Sequence, residues 1–173
     1  MTWGKFLQPD LVLSDSVLSL TPDIIQRHQL QGLVLDVDET LVPIHAVQAT
    51  LELQQWLEGL KPLVSLWLVS NNLNSNRIGR IAQALNVPYI TGAGKPSRRK
   101  LRQAVLAMDL PVGQIAMVGD RLFTDVLAGN RLGMFTILVE PMVDPMRTPK
   151  RYTLRSMEVW LSQRLGVSLP LKY

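Results

Sequence analysis

Apolar and polar residues are arranged along the chain in blocks that predict buried strands separated by amphipathic helices. Short apolar runs, typical of buried strands, cover residues 32–36, 63–69, 87–90, 114–118 and 134–139. Between them, apolar residues recur three and four positions apart, which predicts helices at 21–28, 47–59, 74–85, 97–108, 124–132 and 152–165. This alternation predicts an α/β fold: a doubly wound parallel sheet with helices on both faces and right-handed crossovers.

The composition is that of a globular protein. The chain has 173 residues, of which 47% are hydrophobic and 18% charged, a balance that excludes a disordered chain. We expect one domain over residues 1–173, with a core at about 30–140 and extensions, 1–29 and 141–173, packed on it. No apolar run reaches the roughly 20 residues that a membrane span needs, no signal peptide is evident, and the absence of cysteine excludes disulfides. We therefore expect a cytoplasmic protein.

The net charge is positive. A formal charge of +4 favours anionic partners, which include phosphorylated metabolites, nucleic acid and anionic lipid surfaces. The basic residues form two clusters, and each is equally consistent with a solvated surface. These clusters are Arg98, Arg99, Lys100 and Arg102, and then Arg147, Lys150, Arg151 and Arg155.

The most informative segment is Leu33 to Leu41, where an apolar run ends in Asp36 and is followed by Asp38 and Thr40 at alternate positions. Ligands of such sheets bind beyond the carboxyl ends of the strands. Carboxylates in that position cost desolvation energy unless a cation or a ligand compensates them. One of the two acids is suited to be a nucleophile and the other a proton shuttle, with Mg²⁺ nearby. This pattern indicates phosphoryl transfer.

Three more strand ends carry matching residues. Ser70 offers a hydroxyl to a phosphate, Lys95 a positive charge, and Asp120 an oxygen ligand for Mg²⁺. Asp125, one helical turn later, either orients Lys95 or completes the metal shell. Taken singly, each residue also fits a helix cap or an exposed side chain. In this order and spacing, they predict one site.

The order Asp-x-Asp, Ser, Lys, Gly-Asp resembles the haloacid dehalogenase-like (HAD) phosphohydrolase superfamily over residues 32 to about 140. The resemblance implies that Asp36 attacks phosphorus to form an aspartyl-phosphate, and that Asp38 protonates the leaving alcohol and later activates water. For the other positions it implies that Thr40 supports the loop, that Asp36, the Asp38 carbonyl and Asp120 hold Mg²⁺, and that Ser70, Asn71 and Lys95 bind the phosphate.

Two further features refine the resemblance. Position 39 is Glu where many members have Gly, and we expect Glu39 to point into solvent. Residues 41–69 and 71–94 each have room for one helix and one strand, so we expect no inserted cap domain and an open site.

Within the superfamily, the chain resembles the capless subclass IIIA and its YqeG-like and phosphatidylglycerophosphate phosphatase branch. This likeness rests on residues 7–10, 33–41, 68–72, 94–96, 119–125 and 139–142.

The resemblance implies hydrolysis of phosphatidylglycerophosphate to phosphatidylglycerol. Arg98 and Arg99 are then candidate contacts for anionic substrate, and peripheral contact with the inner face of a membrane is expected. Apolar groups at Trp3, Phe6 and Leu7 and around Trp160 are candidates for that contact, with ordinary packing as the alternative. No nucleic acid partner is expected, and the oligomeric state stays open.

Other functions remain open at this point. A phosphatase of a soluble sugar or nucleotide phosphate would use the same groups. A receiver-type phospho-acceptor domain also carries clustered Asp, Ser or Thr, and Lys, but its phosphorylated Asp lies on a later strand. A binding protein without activity is the remaining alternative.

Overall fold

A single, all-parallel sheet organises the protein. The computed structural model describes residues 4–142 and 149–169, and in them six strands pair in the order β1-β6-β5-β2-β3-β4. The strands are β1 (Leu11–Val12), β2 (Gly32–Leu35), β3 (Ser65–Val69), β4 (Tyr89–Ile90), β5 (Ile115–Gly119) and β6 (Phe135–Leu138).

Helices connect these strands. A π-helix at Leu122–Val126 leads directly into α6, and short 3₁₀ turns occur at Val17–Ser19 and Val112–Gln114. The α-helices in the described residues are α1 (Gly4–Leu7), α2 (Pro22–Arg27), α3 (Leu51–Leu60), α4 (Ser75–Leu85), α5 (Arg99–Met108), α6 (Leu127–Leu132) and α7 (Pro149–Arg164).

Side-chain caps fix where two of the helices begin. The Thr50 hydroxyl accepts a hydrogen bond from the Leu53 N–H at 3.2 Å, so α3 begins after residue 50 and not at the predicted 47. The Asn74 side chain accepts one from the Arg77 N–H at 3.0 Å and caps α4 as predicted. These caps satisfy amide groups that the first turn of a helix leaves free.

The core lies on both faces of the sheet, because successive side chains of a strand point to opposite sides. Leu33 and Leu35 belong to the larger core cluster, whereas Val34 between them belongs to the second cluster. All three side chains are fully buried. The central strand is therefore apolar on both faces, as expected for a covered parallel sheet.

The sheet order determines where the site forms. Strand β2 lies at the centre, with β3 on one side and β5 on the other, so the chain departs from β2 in one direction and later returns across it. A crevice opens at such a switch point, beyond the carboxyl ends of the strands. The residues that follow β2, β3 and β5 are thereby brought together.

The five predicted strands are all present, and a sixth, β1, was not predicted. Strand β1 is only two residues long and pairs with β6 at Leu11↔Ile137 and Val12↔Leu138. The Asp10 carboxylate strengthens this junction by accepting hydrogen bonds from the Thr136 N–H and hydroxyl at 2.8 and 2.9 Å. A two-residue strand shows no alternation that a sequence pattern could reveal.

The segments on either side of Ser70 contain no inserted domain. Residues 41–69 hold α3 and β3, and residues 71–94 hold α4 and β4, as predicted. Among the described helices, none combines the length and the apolar character that a membrane span requires.

Some predicted apolar faces are oriented differently in the structure. Leu51 in α3 is exposed, although it was expected on the buried stripe. Leu7 is buried, and the partly buried Phe6 packs beside it in a cluster with Leu122 and Val126, so these two residues fit the alternative of ordinary packing. Trp3 lies outside the described residues. In α7 the apolar residues Met157, Trp160 and Leu161 face outward, and so does Leu165 directly after the helix.

Candidate active site

The crevice beyond β2 and β5 brings two predicted carboxylates together. The Asp36 N–H donates to the Val118 carbonyl at 2.9 Å, so Asp36 continues the sheet by one residue beyond β2. Asp120 follows the neighbouring strand β5. The Thr40 hydroxyl lies 3.3 Å from Asp36 Oδ2 and 3.4 Å from Asp120 Oδ1. Thr40 therefore connects the two strand ends, in keeping with its predicted supporting position.

Lys95 reaches the same point from the loop after β4. Its Nζ lies 2.7 Å from Asp36 Oδ1, 2.7 Å from Asp125 Oδ1 and 2.8 Å from the Val69 carbonyl oxygen. The residue is only 5% exposed, so its ammonium group is held among these three partners. The Asp125 carboxylate thus contacts the Lys95 ammonium group, and its function, to orient Lys95 or to complete the metal shell, stays a prediction.

The site holds more buried negative than positive charge. Oxygens of Asp36, Asp120 and Asp125 lie within 4.8 Å of one another, and Lys95 supplies the one ammonium ion paired with this group in the described structure. Burial raises the pKa of Asp36 to about 6; Lys95 opposes this rise and Asp125 adds to it. Burial alone would lower the pKa of Lys95, but Asp125 and Asp36 outweigh burial and raise it above its ordinary value. Three hard oxygen donors with excess negative charge fit a divalent cation such as Mg²⁺.

Gly119 allows this grouping to form. A Cβ at position 119 would lie 2.3 Å from Asp125 Oδ2, closer than any side chain permits. The wider turns of the π-helix follow, and Asp125 Oδ2 accepts a hydrogen bond from the Arg121 N–H at 3.3 Å. π-helical turns are frequent at functional sites because they redirect a side chain within a helix. Here the turn directs Asp125 back toward Lys95.

Ser70 and Asn71 support the predicted phosphate loop in different ways. Ser70 is buried, and its Oγ accepts a hydrogen bond from the Asn72 N–H at 3.1 Å. The Asn71 side chain binds the Lys95 backbone twice: Nδ2 donates to the Lys95 carbonyl at 3.0 Å, and Oδ1 accepts from the Lys95 N–H at 2.7 Å. The Asn71 amide therefore fixes the backbone of Lys95.

Asp38 lies apart from the carboxylate group. Its Oδ1 is 2.5 Å from Arg77 Nη1, and its Oδ2 accepts a hydrogen bond from Asn72 Nδ2 at 2.8 Å. The third carboxylate near Asp36 and Asp120 is that of Asp125, not of Asp38. The expectation that the Asp38 backbone carbonyl binds the metal stays a prediction.

Similarity to known proteins agrees with this geometry. The chain is 36% identical to the probable phosphatase YqeG of Bacillus subtilis over 80% of this chain and 80% of that protein. The chain belongs to the HAD-like phosphatase family. The family model described as "HAD-hyrolase-like" matches residues 92–141, which include Lys95, Asp120 and Asp125.

One further relative in sequence and one in structure are also similar to this chain. Phosphatidylglycerophosphate phosphatase 1 of the Chlamydomonas reinhardtii chloroplast is 30% identical over 65% of this chain, which spans 45% of the length of that relative. NagD from Escherichia coli K-12 has the same fold, with a TM-score of 0.51 at 16% identity over 70% of this chain and 92% of that one. The six-stranded parallel sheet is therefore the HAD-like core fold, as predicted.

Glu39 of this HAD-like phosphatase is buried, so the prediction that it points into solvent is wrong. Glu39 is only 1% exposed, and its Oε1 accepts a hydrogen bond from the Ile44 N–H at 2.9 Å. Its φ of +66° lies in the left-handed region, which favours glycine. The turn requires that conformation, and the Glu39 side chain stabilises the loop that carries Asp36, Asp38 and Thr40.

Arg98 and Arg99 lie outside this buried group, on an open pocket at the start of α5. The pocket has a volume of about 540 Å³ and is lined by Ser97, Arg98, Arg99, Arg102 and Arg131. Arg98 Nη1 donates to the Arg131 carbonyl at 2.9 Å, and Arg131 Nη1 donates to the Pro96 carbonyl at 3.2 Å. The pocket therefore lies beside Pro96, the residue that follows Lys95 in the sequence. Among the described residues, no carboxylate forms an ion pair with its arginines.

Arg77 and the Asn72 side chain are candidate functional groups that the sequence pattern did not predict. An arginine within a helix is usually exposed, and its partner Asp38 is distant in the sequence. One feature of the sequence does indicate that Arg77 is buried. Arg77, Ile81 and Leu85 are spaced four apart, so Arg77 falls on the apolar face of α4, where an arginine requires a partner.

Proposed function

We propose that this protein is a Mg²⁺-dependent phosphomonoester hydrolase that acts through an aspartyl-phosphate on Asp36. The observation that carries the proposal is the buried group of Asp36, Asp120 and Asp125 around the Lys95 ammonium, at the switch point of the sheet. Such a group is costly for a protein that only needs to fold. It is suited to receiving a cation and a phosphoryl group together.

The metal would be held by Asp36, Asp120 and the backbone carbonyl of Asp38, with Asp125 as the further oxygen donor nearby. When bound, Mg²⁺ would neutralise charge on the phosphoryl oxygens and on these carboxylates. The remaining chemistry belongs to the residues of the chain.

In the first step, an oxygen of Asp36 attacks phosphorus and forms an acyl-phosphate bond while the bond from phosphorus to the ester oxygen breaks. Asp38 gives its carboxyl proton to the departing oxygen, which leaves as an alcohol. In the second step, Asp38 accepts a proton from water, the water oxygen binds phosphorus, and the bond to Asp36 breaks. Inorganic phosphate is released, and both carboxyl groups return to their starting state.

The other polar groups bind the transferred phosphate. Lys95 remains charged, since its two carboxylate partners favour the ammonium form, and it offsets charge on Asp36 and on the phosphoryl oxygens. Ser70 contributes its hydroxyl. Asn71 keeps Lys95 in position through two hydrogen bonds to its backbone and completes the phosphate loop.

For the substrate, we propose phosphatidylglycerophosphate, which would be converted to phosphatidylglycerol. Similarity to the algal phosphatase supports this choice. The arginine pocket beside Pro96 also supports it, because guanidinium groups bind a second phosphate or anionic headgroups well. The exposed apolar face of α7, with Arg164 stacked 4.9 Å from the Trp160 ring centre, is suited to peripheral contact with a lipid surface. A soluble sugar or nucleotide phosphate is the alternative substrate.

Phosphate release from phosphatidylglycerophosphate in mixed micelles tests the proposal, with and without Mg²⁺ and beside Asp36→Asn. Mg²⁺-dependent release that the substitution abolishes would establish the mechanism and the substrate. Hydrolysis of p-nitrophenyl phosphate alone would support the mechanism but exclude phosphatidylglycerophosphate as the substrate. No release from either ester would overturn the proposal.

The arginine pocket makes a separate prediction. Arg98→Ala with Arg99→Ala should lower activity on lipid vesicles by about 30-fold, since each surface arginine adds about 1 kcal/mol of attraction to anionic lipid, and leave a small soluble ester unchanged. Arg80→Ala is the matched control, because Arg80 is exposed on α4. An equal loss on both substrates would contradict the assignment of this pocket to lipid contact.

A further inference from the structure

Arg77 is a buried arginine whose guanidinium group is fully engaged. Nη1 lies 2.5 Å from Asp38 Oδ1, Nε donates to the Ala46 carbonyl at 2.7 Å, and Nη2 donates to the Pro43 carbonyl at 3.1 Å. Only 9% of the residue is exposed. With all three nitrogens in use, the guanidinium plane has one orientation, and so has the carboxylate that it contacts.

The position of Arg77 in α4 is unfavourable for a positive charge. Arg77 lies in the first turn of the helix, where the helix dipole favours acidic groups and disfavours basic ones. A buried arginine at that end costs free energy that only its pairing with Asp38 and the two carbonyl groups offsets. The ion pair with Asp38 therefore determines where this side chain lies.

Asn72 fixes the other oxygen of the same carboxylate. Its Nδ2 donates to Asp38 Oδ2 at 2.8 Å, while its Oδ1 accepts from the Asn74 N–H at 2.8 Å. The Asn74 side chain in turn accepts from the Arg77 N–H at 3.0 Å. The two groups that contact Asp38 are thus connected to each other through one turn, and the Asn72 N–H connects that turn to Ser70.

We infer that Arg77, assisted by Asn72, is a positioning residue that holds the Asp38 carboxyl group in the orientation needed for proton transfer. The inference rests on the proposed function, in which Asp38 passes a proton to the leaving group. Each Asp38 oxygen accepts one of these two contacts and keeps a second lone pair. The Asp38 side chain retains 15% exposure, so the remaining lone pairs have access to the crevice.

A purely structural function and a positioning function of Arg77 predict different effects on the hydrolysis of different esters when Arg77 is replaced. If Arg77 only joined α4 to residues 43–46, its loss would slow all substrates equally. If it orients Asp38, its loss would matter most where the leaving oxygen needs a proton. An alkoxide leaving group needs one, whereas p-nitrophenolate leaves without one.

The test compares kcat/KM of Arg77→Met for two phosphate esters. One is p-nitrophenyl phosphate, and the other is an alkyl phosphate that the wild-type protein hydrolyses, phosphatidylglycerophosphate or glycerol 1-phosphate. We expect a loss of about 100-fold or more for the alkyl ester, because general acid catalysis contributes about 10²–10⁴-fold. The loss of kcat/KM for the nitrophenyl ester should stay below about threefold, because kcat/KM does not include the second step, in which Asp38 is the base for every substrate.

Asp38→Asn provides the reference for this comparison. The double variant with Arg77→Met should lose no more activity on the alkyl ester than Asp38→Asn alone, because the two residues act as one unit. Arg80→Met, exposed one turn further along α4, is the matched control and should leave both esters unchanged.

Other results would overturn either the inference on Arg77 or the proposed function of Asp38. Equal losses of Arg77→Met on both esters, or additive losses in the double variant, would overturn the inference while the proposed function stands. Equal losses of kcat/KM of Asp38→Asn on both esters would overturn the proposal that Asp38 protonates the leaving group. If a thermal melt shows that Arg77→Met is unfolded, Asn72→Ala and Arg77→Lys carry the same ester comparison, and uniform losses in both variants would overturn the inference.

Discussion

Asp36 and Asp38 are two residues apart on one loop, but they lie in different surroundings. Asp36 is in the interior of the crevice, 2.7 Å from the Lys95 ammonium and beside Asp120 and Asp125. Asp38 is at the rim, where Arg77 and Asn72 each contact one of its oxygens. Both carboxylates face a cation, and the kind of cation differs.

That difference fits the two functions that we propose for these carboxylates. Lys95 presents a compact charge with three donors, divided among Asp36, Asp125 and the Val69 carbonyl, so it neutralises without imposing one direction. Arg77 has a planar guanidinium group, which fixes the plane of its partner. The first arrangement suits a nucleophile that must approach a metal and a phosphate. The arrangement around Asp38 suits a carboxyl group that transfers a proton and must keep one orientation. One residue type thus gains two functions from its surroundings.

The largest expected effect separates the two carboxylates directly. Asp36→Asn should lower kcat by at least about 10⁴-fold, because it removes the nucleophile. Asp38→Asn should lower kcat by about 10²–10⁴-fold and, with p-nitrophenyl phosphate, accumulate phosphate bound covalently to the protein, because the second step lacks its base. Rapid-quench trapping of ³²P-labelled protein measures this.

Wild-type protein and Asp36→Asn are the controls for that experiment. The wild type should show a transient covalent signal and Asp36→Asn none. Covalent phosphate in Asp36→Asn would mean that another residue is the nucleophile, and the contrast between the two carboxylates would be lost.

The second prediction concerns stability. Lys95→Met should lower the free energy of unfolding by about 3–5 kcal/mol, since it leaves Asp36 and Asp125 buried without their cation. Urea denaturation measures it. Lys61→Met is the matched control: Lys61 pairs with Glu58 at the surface, and its loss should cost less than about 1 kcal/mol. Similar losses in both variants would show that the interior charges are not coupled as described.

The smallest expected effect concerns the metal. Mg²⁺ should raise the Tm of the wild-type protein by a few degrees, because a cation that binds only the folded state stabilises it. Asp120→Asn should abolish this rise without lowering the Tm of the metal-free protein, as it removes one of three crowded carboxylates. Calorimetry with and without Mg²⁺ measures both values. If Mg²⁺ raises the Tm of Asp120→Asn as much as that of the wild type, Asp120 does not bind the metal.

Sequence patterns predicted the interior of the site better than its rim. Asp36, Ser70, Lys95 and Asp120 follow apolar runs, and in a parallel sheet the ends of neighbouring strands meet, so their proximity follows from topology. In the structure Asp36 and Asp120 are grouped with Asp125, and Lys95 pairs with Asp36 and Asp125, while the functions of these residues stay predictions.

The rim could not be predicted in the same way, because its contacts join unrelated segments. Arg77 reaches Asp38 from the next helix, and nothing in local composition distinguishes it from exposed arginines such as Arg80. Glu39 was expected in solvent because it is charged, but a hydrogen bond to the Ile44 N–H and a left-handed backbone keep it buried.

The orientation of α7 was also beyond the sequence pattern. Its apolar stripe is compatible with packing on the protein or with contact to a membrane surface. In the structure Trp160 and Met157 face outward, and the buried Glu158 pairs with Arg121 on the inner side. A periodic pattern specifies which residues share a face. It does not specify which of two faces meets the protein.

The cluster formed by Leu7, Leu122, Val126, Leu127, Leu138 and Val167 has a consequence for protein engineering. It joins residues near both ends of the described chain to the helix that carries Asp125. Reciprocal hydrogen bonds between the Gln8 side chain and the Ser168 backbone, at 3.0 and 2.8 Å, close the same contact. A shortened version that kept every active-site group but lacked residues 149–169 would lose the support beneath Asp125. The motif residues alone are therefore not sufficient to form the site, because their geometry depends on segments near both ends of the described chain.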